Sequence, residues 1–167
     1  MPMDMLVKLY DLKADPALER RMAEQGFVLR RALPLELHSI ASWIAPRFGH
    51  GWASEASVAM TRQPVSCLIA TRQDELVGFA CYDATARGFF GPTGVDEALR
   101  GKGVGHALLL KTLLAMHDHG YGYAVIGSAG PTGFYSRAVG ATVIEGSKPG
   151  IYKGMLKTVD EDPNSGR

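Results

Sequence analysis

The first sixty residues carry apolar positions at the three- and four-residue spacing of amphipathic helices. Residues 37–44 give the clearest apolar face and predict a helix that opens at Pro34. Residues 16–25 predict an earlier helix, with an aspartate cap before it and a glycine after it. A weaker helix is expected within 50–63, after a loop, and residues 1–15 favour an irregular arm or a short strand.

From Val65 onward the pattern changes to short apolar runs separated by polar turns, which is typical of strands. Strands are expected at 65–71, 76–84, 88–95, 123–126, 142–144 and 151–153, and helices at 104–119 and 131–139. The first two strands predict a β-hairpin, and the loop before the long helix predicts a parallel crossover. The order of elements indicates one α/β domain with a mixed sheet.

Composition places the chain among ordinary globular proteins. It has 167 residues, 46% hydrophobic and 21% charged, with a formal net charge of +1. That near-neutral balance favours neither nucleic acid nor a membrane surface as a partner. No apolar run approaches the roughly 20 residues of a membrane span, and the N-terminal residues do not have the pattern of a signal peptide.

Cysteine and histidine spacing argues against a metal site. Cys67 and Cys81 lie inside apolar strand-like runs, without the spacing of a disulfide framework. We expect two buried free thiols and, from them, a reducing cytoplasmic compartment. His117 and His119 cannot share a helix face, and no other candidate ligands have suitable spacing, so no metal is expected.

The segment from Arg100 to Gly105 has the composition of an anion-binding loop. It contains three glycines and opens directly into the long helix. Backbone N–H groups of such a loop can point inward, and the helix N-terminus adds unpaired donors and the positive end of its dipole. Arg100 and Lys102 add two positive charges. The expected ligand therefore carries a pyrophosphate.

Two common phosphate-binding motifs do not fit this loop. A Walker A motif needs four residues between its first glycine and the Gly-Lys pair, whereas six separate Gly94 from Gly101, and Gly103 stands where serine or threonine is required. The dinucleotide fingerprint requires a glycine where His106 or Leu108 stands. A nucleotide-binding regulator is therefore disfavoured.

The pattern that fits is Arg/Gln-x-x-Gly-x-Gly/Ala, here Arg100-x-x-Gly103-x-Gly105. A strand ends at Val95, five residues before the arginine, and the sequence FYSRAVGA at 134–141 follows the next strand. With these features the chain resembles the GCN5-related N-acetyltransferase (GNAT) family, in a bacterial subgroup. The resemblance implies an α/β (α+β) fold whose sheet has six to seven mostly antiparallel strands flanked by helices, with strands four and five splayed.

The resemblance covers about 65–151 and implies a single acetyltransferase domain at 1–157. Residues 1–26 would form an N-terminal extension with a helix, and 158–167 a disordered tail. Acetyl-coenzyme A (acetyl-CoA) is the implied co-substrate. The matching cofactor-binding positions are Thr93, Gly94, Val95, Arg100, Gly101, Lys102, Gly103, Val104, Gly105, His106, Ser128 and Tyr135.

Two catalytic roles follow from the same resemblance. Tyr135 matches the tyrosine that commonly protonates the departing thiolate, although it could be a core residue instead. The family often has a glutamate in strand four as general base, and this strand has none. Glu55, in the segment expected to roof the acceptor site, is the best candidate, with Asp83, Asp96 or a water chain as alternatives, and Glu55 could instead serve only to cap a helix. Ser128 also departs from the family, which often has asparagine there.

The resemblance implies transfer of an acetyl group to a primary amine of a small molecule or peptide by direct attack. Trp52, Tyr82 and Asp83 are the candidate acceptor contacts, with a packing role as the alternative for Trp52 and Tyr82. The alternative is a non-catalytic acyl-CoA-binding module, because the strand-four carboxylate is missing. The expected partners are the amine acceptor and, as an open alternative, a second copy in a homodimer; neither nucleic acid nor membrane is expected.

Overall fold

The computed structural model describes residues 2–157. Its helices are α1 (Pro16–Glu24), α2 (Leu37–Phe48), α3 (His50–Met60), α4 (Val104–Asp118) and α5 (Thr132–Val139). Its strands are β1 (Met5–Lys8), β2 (Phe27–Arg31), β3 (Cys67–Arg72), β4 (Glu75–Tyr82), β5 (Phe89–Val95), β6 (Tyr123–Ile126) and β7 (Thr142–Val143). Short 3₁₀ turns lie at Leu9–Asp11, Pro34–Glu36, Glu97–Leu99 and Gly150–Tyr152.

Local sequence signals explain where several helices begin and end. Asp15 caps α1, because its carboxylate accepts a hydrogen bond of 3.1 Å from the Leu18 N–H, and Pro16 takes the first helical position. Gly49, with a φ of 99°, separates α2 from α3. The segment expected to be a loop turning into a helix is therefore helical from His50.

All seven strands form one mixed sheet in the order β2-β3-β4-β5-β6-β1-β7. Neighbouring strands are antiparallel except β5 and β6, which are parallel, as the crossover through α4 requires. This confirms the predicted α/β fold class and the predicted hairpin of β3 and β4.

The N-terminal strand β1 lies inside the sheet, between β6 and β7. Met5 pairs with Ile126 on one side and with Val143 on the other. The prediction of a last strand at 151–153 was wrong, since Gly150–Tyr152 is a 3₁₀ turn. The physical reason is local, because Gly150 has a φ of 59° and the Lys153 N–H donates a hydrogen bond to the Gly150 carbonyl, so the chain turns here instead of extending. The division into an extension, a domain and a tail stays a prediction, and 158–167 lie outside the described residues.

The sheet separates two hydrophobic layers. On one face α1, α4 and α5 pack over residues such as Leu68, Ala80 and Phe90. On the other face α2 and α3 pack over residues such as Ile69 and Phe79. We call these the α4 face and the α3 face. None of the helices in residues 2–157 has the length and apolarity that a bilayer crossing needs.

The strands β5 and β6 pair only where the first residues of β5 lie beside the last residues of β6. The register joins Phe89 to Val125 and Phe90 to Ile126, while β5 continues to pair with β4 as far as Val95. Beyond Phe90 the β6 side of β5 therefore has unpaired backbone groups and borders an open gap. The gap lies next to the loop that leads into α4.

Candidate active site

The glycine loop has the backbone conformation of an anion cradle. Gly101 and Gly103 have φ values of 81° and 91°, which side-chain-bearing residues rarely adopt. The first hydrogen bond inside α4 runs from the Ala107 N–H to the Gly103 carbonyl, at 3.0 Å. The N–H groups of Val104, Gly105 and His106 are thus without partners inside the helix, and they are available to an anion.

Helix α1 supports this loop from behind. A Cβ on Gly103 would lie 3.1 Å from Met22 Cε and 3.4 Å from Arg21 Nη2. Gln25 Nε2 donates a hydrogen bond of 3.2 Å to the Lys102 carbonyl. The sequence reasoning did not foresee that α1 would touch the loop, because this contact joins segments 77 residues apart.

The side chains around the loop fall into two groups. Arg100 and Lys102 are exposed and so can meet a phosphate from solvent. His106 is half-buried, and its ring meets Phe134 edge-on at 6.5 Å between centroids. That contact packs the start of α5 against the start of α4, and Tyr135 follows Phe134 directly.

Tyr135 lies on the α4 face, where it is 7% exposed. Burial raises the pKa of its hydroxyl above the ordinary 10.0. Its ring packs against Phe134 at 5.2 Å, so the side chain is held in place. A buried phenol that remains protonated at neutral pH is suited to donating a proton.

The end of β5 presents backbone rather than side chains to the gap. Thr93 Oγ1 donates a hydrogen bond of 3.0 Å to the Phe79 carbonyl, so its side chain is tied to β4. A Cβ on Gly94 would lie 2.5 Å from the Phe48 ring, so only glycine fits beneath that ring. Val95 Cγ2 lies 3.7 Å from the Cβ position of Gly105, so strand and loop are in contact.

The acceptor-contact candidate Trp52 and the general-base candidate Glu55 lie together on the α3 face. Trp52 stacks on Phe48 with 5.2 Å between ring centroids and meets Phe79 edge-on at 6.3 Å. Glu55, one turn later in α3, is half-buried and accepts a hydrogen bond from the Thr85 hydroxyl. The helix thus aims an aromatic ring and a carboxylate at the same side of the sheet.

Tyr82 and Asp83 are not brought to this place. Tyr82 is fully buried on the α4 face, where its hydroxyl accepts from Arg31 Nη1 at 2.9 Å and lies 2.9 Å from His119 Nδ1. Asp83 has a φ of 53°, and its carboxylate accepts from the Gly88 N–H and the Tyr121 hydroxyl. Both residues have structural partners and hold the turn before β5.

Ser128 is held by a residue that sequence reasoning missed. Its backbone has a φ of 48°, and its N–H donates a hydrogen bond of 2.7 Å to Asp4 Oδ1. Asp4 is only 6% exposed, and its own N–H donates to Ser147 Oγ at 2.8 Å. In the sequence, the sign of this role was that Asp4 is a single acidic residue directly before the alternating apolar positions that begin at Met5.

Tyr152 is a second functional candidate that the sequence did not single out. Its hydroxyl lies beside Gly127, the residue that follows β6. Burial, and then the charges of Glu55 and Asp4, raise its pKa above 10.0. Within residues 2–157, no group of three or more histidine, cysteine or carboxylate side chains is arranged to hold a metal ion.

Sequence comparison bears on the same loop and helices. The profile of the acetyltransferase (GNAT) family matches residues 37–140, which include the loop, β5 and Tyr135. The chain belongs to this family. No curated protein matches the chain. The match covers both faces of the GNAT sheet, from α2 through α5.

Solved structures share the GNAT fold at low identity. The glucosamine N-acetyltransferase region of a fungal multi-domain GH3 β-N-acetylglucosaminidase matches with a TM-score of 0.70 and 15% identity, covering 85% of this chain and 19% of that one. A GCN5-related N-acetyltransferase from Sphaerobacter thermophilus matches with a TM-score of 0.59 and 20% identity, covering 85% and 48%.

A GNAT acetyltransferase from Brucella melitensis, solved with acetyl-CoA, matches with a TM-score of 0.51 and 20% identity, covering 66% of this chain and 80% of that one. The chain spans about a fifth of the fungal protein and about half of the Sphaerobacter protein. At these identities the likeness shows a common GNAT fold.

Proposed function

We propose that the chain is an acetyl-CoA-dependent N-acetyltransferase that acts on a primary amine of a small molecule or peptide by direct attack. The observation that carries the proposal is the glycine loop at the start of α4, placed beside the open gap between β5 and β6. Membership of the GNAT family supports it. The Brucella melitensis relative was solved with acetyl-CoA.

The residues present fit coenzyme A. The N–H groups at Val104, Gly105 and His106 would meet the pyrophosphate, and Arg100 and Lys102 would add positive charge at the rim. The unpaired backbone edge of β5 from Gly91 to Val95 would hydrogen-bond the pantetheine arm, as one strand does to another. Acetyl-CoA supplies a thioester, whose carbonyl is open to an amine nucleophile.

Residues from the two faces would share the proton transfers. Glu55 would accept the proton of the attacking amine from the α3 face, directly or through water. Tyr135 would give its proton to the sulfur that leaves, from the α4 face. Backbone N–H groups of β5 would polarise the carbonyl. Positioning of the two reactants at the gap would contribute much of the rate.

Cofactor binding is tested by calorimetric titration of CoA. Wild-type protein should bind CoA, and the double variant Arg100→Ala/Lys102→Ala should bind it roughly tenfold more weakly, since two charge-assisted contacts are lost. Lys13→Ala removes an exposed charge outside the loop and serves as the matched control. Absence of CoA binding to the wild type at millimolar concentration would reject the proposal.

Transfer is tested by a panel of primary amines with detection of released thiol. A chain that releases thiol when no amine is present would be a hydrolase, and one that binds CoA but releases no thiol with any amine of the panel would be a non-catalytic acyl-CoA-binding module. The missing carboxylate in β5 is the observation that favours this second candidate. Thiol release that depends on the amine, and that falls in Tyr135→Phe and Glu55→Gln, supports the acetyltransferase.

We also propose a reducing, cytoplasmic location. Cys67 and Cys81 are fully buried, free, and directly opposite each other on β3 and β4. A homodimer stays a prediction.

A further inference from the structure

A tyrosine hydroxyl lies at the mouth of the strand gap and has no part in the chemistry proposed above. A Cβ on Gly127 would lie 2.5 Å from Tyr152 Oη and 3.0 Å from Phe89 Cδ2. Gly127 follows the last residue of β6, and Phe89 is the first residue of β5. The hydroxyl therefore sits where the paired part of the two strands gives way to the gap.

This hydroxyl belongs to the α3 face. Phe90 and Ile126 are buried on the α4 face, so strand alternation turns Phe89 and Gly127 to the other side. Glu55 reaches the same side from α3, where it accepts a hydrogen bond from Thr85 on the turn before β5. Its charge helps to raise the pKa of Tyr152. Within residues 2–157 the Tyr152 hydroxyl forms no hydrogen bond to a side chain or backbone group, so it can meet a ligand.

An aromatic wall continues from this polar end along β5. Trp52 precedes Glu55 by one helical turn, so both project from one side of α3. Trp52 stacks on Phe48, and Phe48 covers Gly94 near the far end of β5. The α3 face thus runs from a hydroxyl and a carboxylate at the strand gap to two stacked rings.

We propose that Tyr152 binds the acceptor, its hydroxyl and the Glu55 carboxylate holding the primary amine while Phe48 and Trp52 contact an adjoining apolar group. The acceptor class is then a compact primary amine that carries an aromatic or apolar substituent. The protonated amine would form an ion pair with the Glu55 carboxylate. As the ammonium group approaches, the faces of the Phe48 and Trp52 rings would attract it through cation–π interactions. This inference rests on the proposed function, because it assigns the acceptor side of that same site.

Phenethylamine is the probe, since it combines a primary ammonium with one aromatic ring. It is titrated calorimetrically into protein saturated with CoA, and 2-phenylethanol is titrated as the neutral analogue. We expect wild-type protein to bind phenethylamine and to bind 2-phenylethanol more weakly. Tyr152→Phe and Glu55→Gln should each weaken phenethylamine binding about tenfold and leave the CoA affinity unchanged.

Tyr10→Phe is the matched control, because Tyr10 is 54% exposed on the turn after β1 and its hydroxyl lies 3.5 Å from that of Tyr123. Gly127→Ala is a second variant for the case in which Tyr152→Phe does not fold. Its added methyl group displaces the Tyr152 hydroxyl, so it should weaken phenethylamine binding while the phenol remains.

The outcomes separate this inference from the proposed function. Phenethylamine binding that is absent in the wild type at about ten millimolar, or unchanged in both Tyr152→Phe and Gly127→Ala, overturns the assignment of Tyr152. Failure of CoA to bind rejects the proposed function instead. The phenethylamine titration is then repeated on CoA-free protein, where loss of binding in Tyr152→Phe still supports an amine site.

Discussion

The Tyr135 hydroxyl belongs to a side chain that is 7% exposed, and its pKa is raised above 10.0 by burial. A proton donor must be protonated before it acts, so a raised pKa keeps Tyr135 competent through neutral and moderately alkaline pH. Deprotonation, and loss of its contribution, would occur only as the pH rises through that raised pKa.

Tyr135→Phe should therefore lower kcat about 100-fold, and by the same factor at pH 7 and at pH 9.5. The acetyl-CoA affinity should change little, since the aromatic ring remains. Steady-state kinetics at the two pH values measure this, with Tyr123→Phe as control because Tyr123 is 53% exposed. An unchanged kcat, or a defect that disappears at pH 9.5, contradicts the role of donor.

Glu36 is a charged residue whose effect is on stability. Its carboxylate accepts two hydrogen bonds from Arg30, at 2.8 and 2.7 Å, and these lower its pKa from 4.5 to about 2. A lowered folded-state pKa stabilises the fold above pH 4.5, and this contribution fades as the pH falls from 4.5 to about 2. Because the Arg30 side chain is 39% exposed, solvent screens much of the attraction.

Glu36→Gln should cost about 1 kcal/mol of unfolding free energy at pH 7, and only about a quarter of that at pH 2.5, where most of the contribution has been lost. Urea unfolding at both pH values checks this. Glu75→Gln, at an exposed position on β4, is the control and should have little effect at either pH. A Glu36→Gln deficit that is as large at pH 2.5 as at pH 7 would show that packing, rather than ionisation, is what the substitution removes.

At the scale of elements, the two N-terminal elements complete the site from outside the family match. Helix α1 touches the glycine loop through Met22 and Gln25, and β1 lies between β6 and β7. Asp4, just before β1, joins that strand to Ser128 and Ser147. The segment that follows β6 is thus held by a strand that is distant in the chain.

Asp4→Ala should destabilise the protein by about 1–3 kcal/mol, because the Ser128 N–H loses its buried acceptor. At this chain length that lowers Tm by roughly 2–12 °C. Asp4→Asn keeps an oxygen acceptor and nearly the same volume and should lose less, so the pair separates the loss of charge from the combined loss of the hydrogen bond and of packing. Equal Tm values for wild type and Asp4→Ala, measured by calorimetry, would contradict the account.

Elements that depend on neighbours in sequence were predictable, and those that depend on distant pairing were not. The glycine loop could be identified because the glycines that set its conformation and the charged residues that attract an anion all lie within Arg100–Gly105. The helix cap at Asp15 and the hairpin of β3 and β4 are equally local. The place of β1, by contrast, is decided by pairing with residues more than 110 positions away, and no local pattern encodes it.

The same distinction explains the candidate site. Trp52 and Glu55 share a helix face, so their common location follows from helical spacing. Tyr82 is turned to the α4 face by its register in β4, next to Cys81 on the α3 face. Tyr152 reaches the gap from a 3₁₀ turn, and only the close approach at Gly127 reveals it. The register of a strand in its sheet, and the approach of a residue to a distant part of the chain, cannot be derived from a short segment of sequence.

The candidate site is built from elements that are spread over the whole molecule, so binding of CoA should stabilise the entire fold. The cradle at α4 is supported by α1 from the N-terminal part, while the gap is bordered by β5 and β6 and approached by the turn at Gly150–Tyr152. These elements belong to one sheet and its covering layers, so unfolding any of them removes the binding site. Binding energy is then added to the global free energy of unfolding.

CoA at 100 times its Kd should raise the unfolding free energy by about 2.7 kcal/mol, which corresponds to a Tm increase of roughly 5–11 °C. ATP, which carries phosphates and adenosine without the pantetheine arm, is the matched ligand control. At the same concentration as CoA it should raise Tm less. Gly103→Ala should weaken the CoA response, because the added Cβ would lie 3.1 Å from Met22 Cε at a φ of 91°. Equal shifts with CoA and ATP would mean that the loop binds phosphates while the gap between β5 and β6 contributes nothing, and the thioester would then have no place at the site.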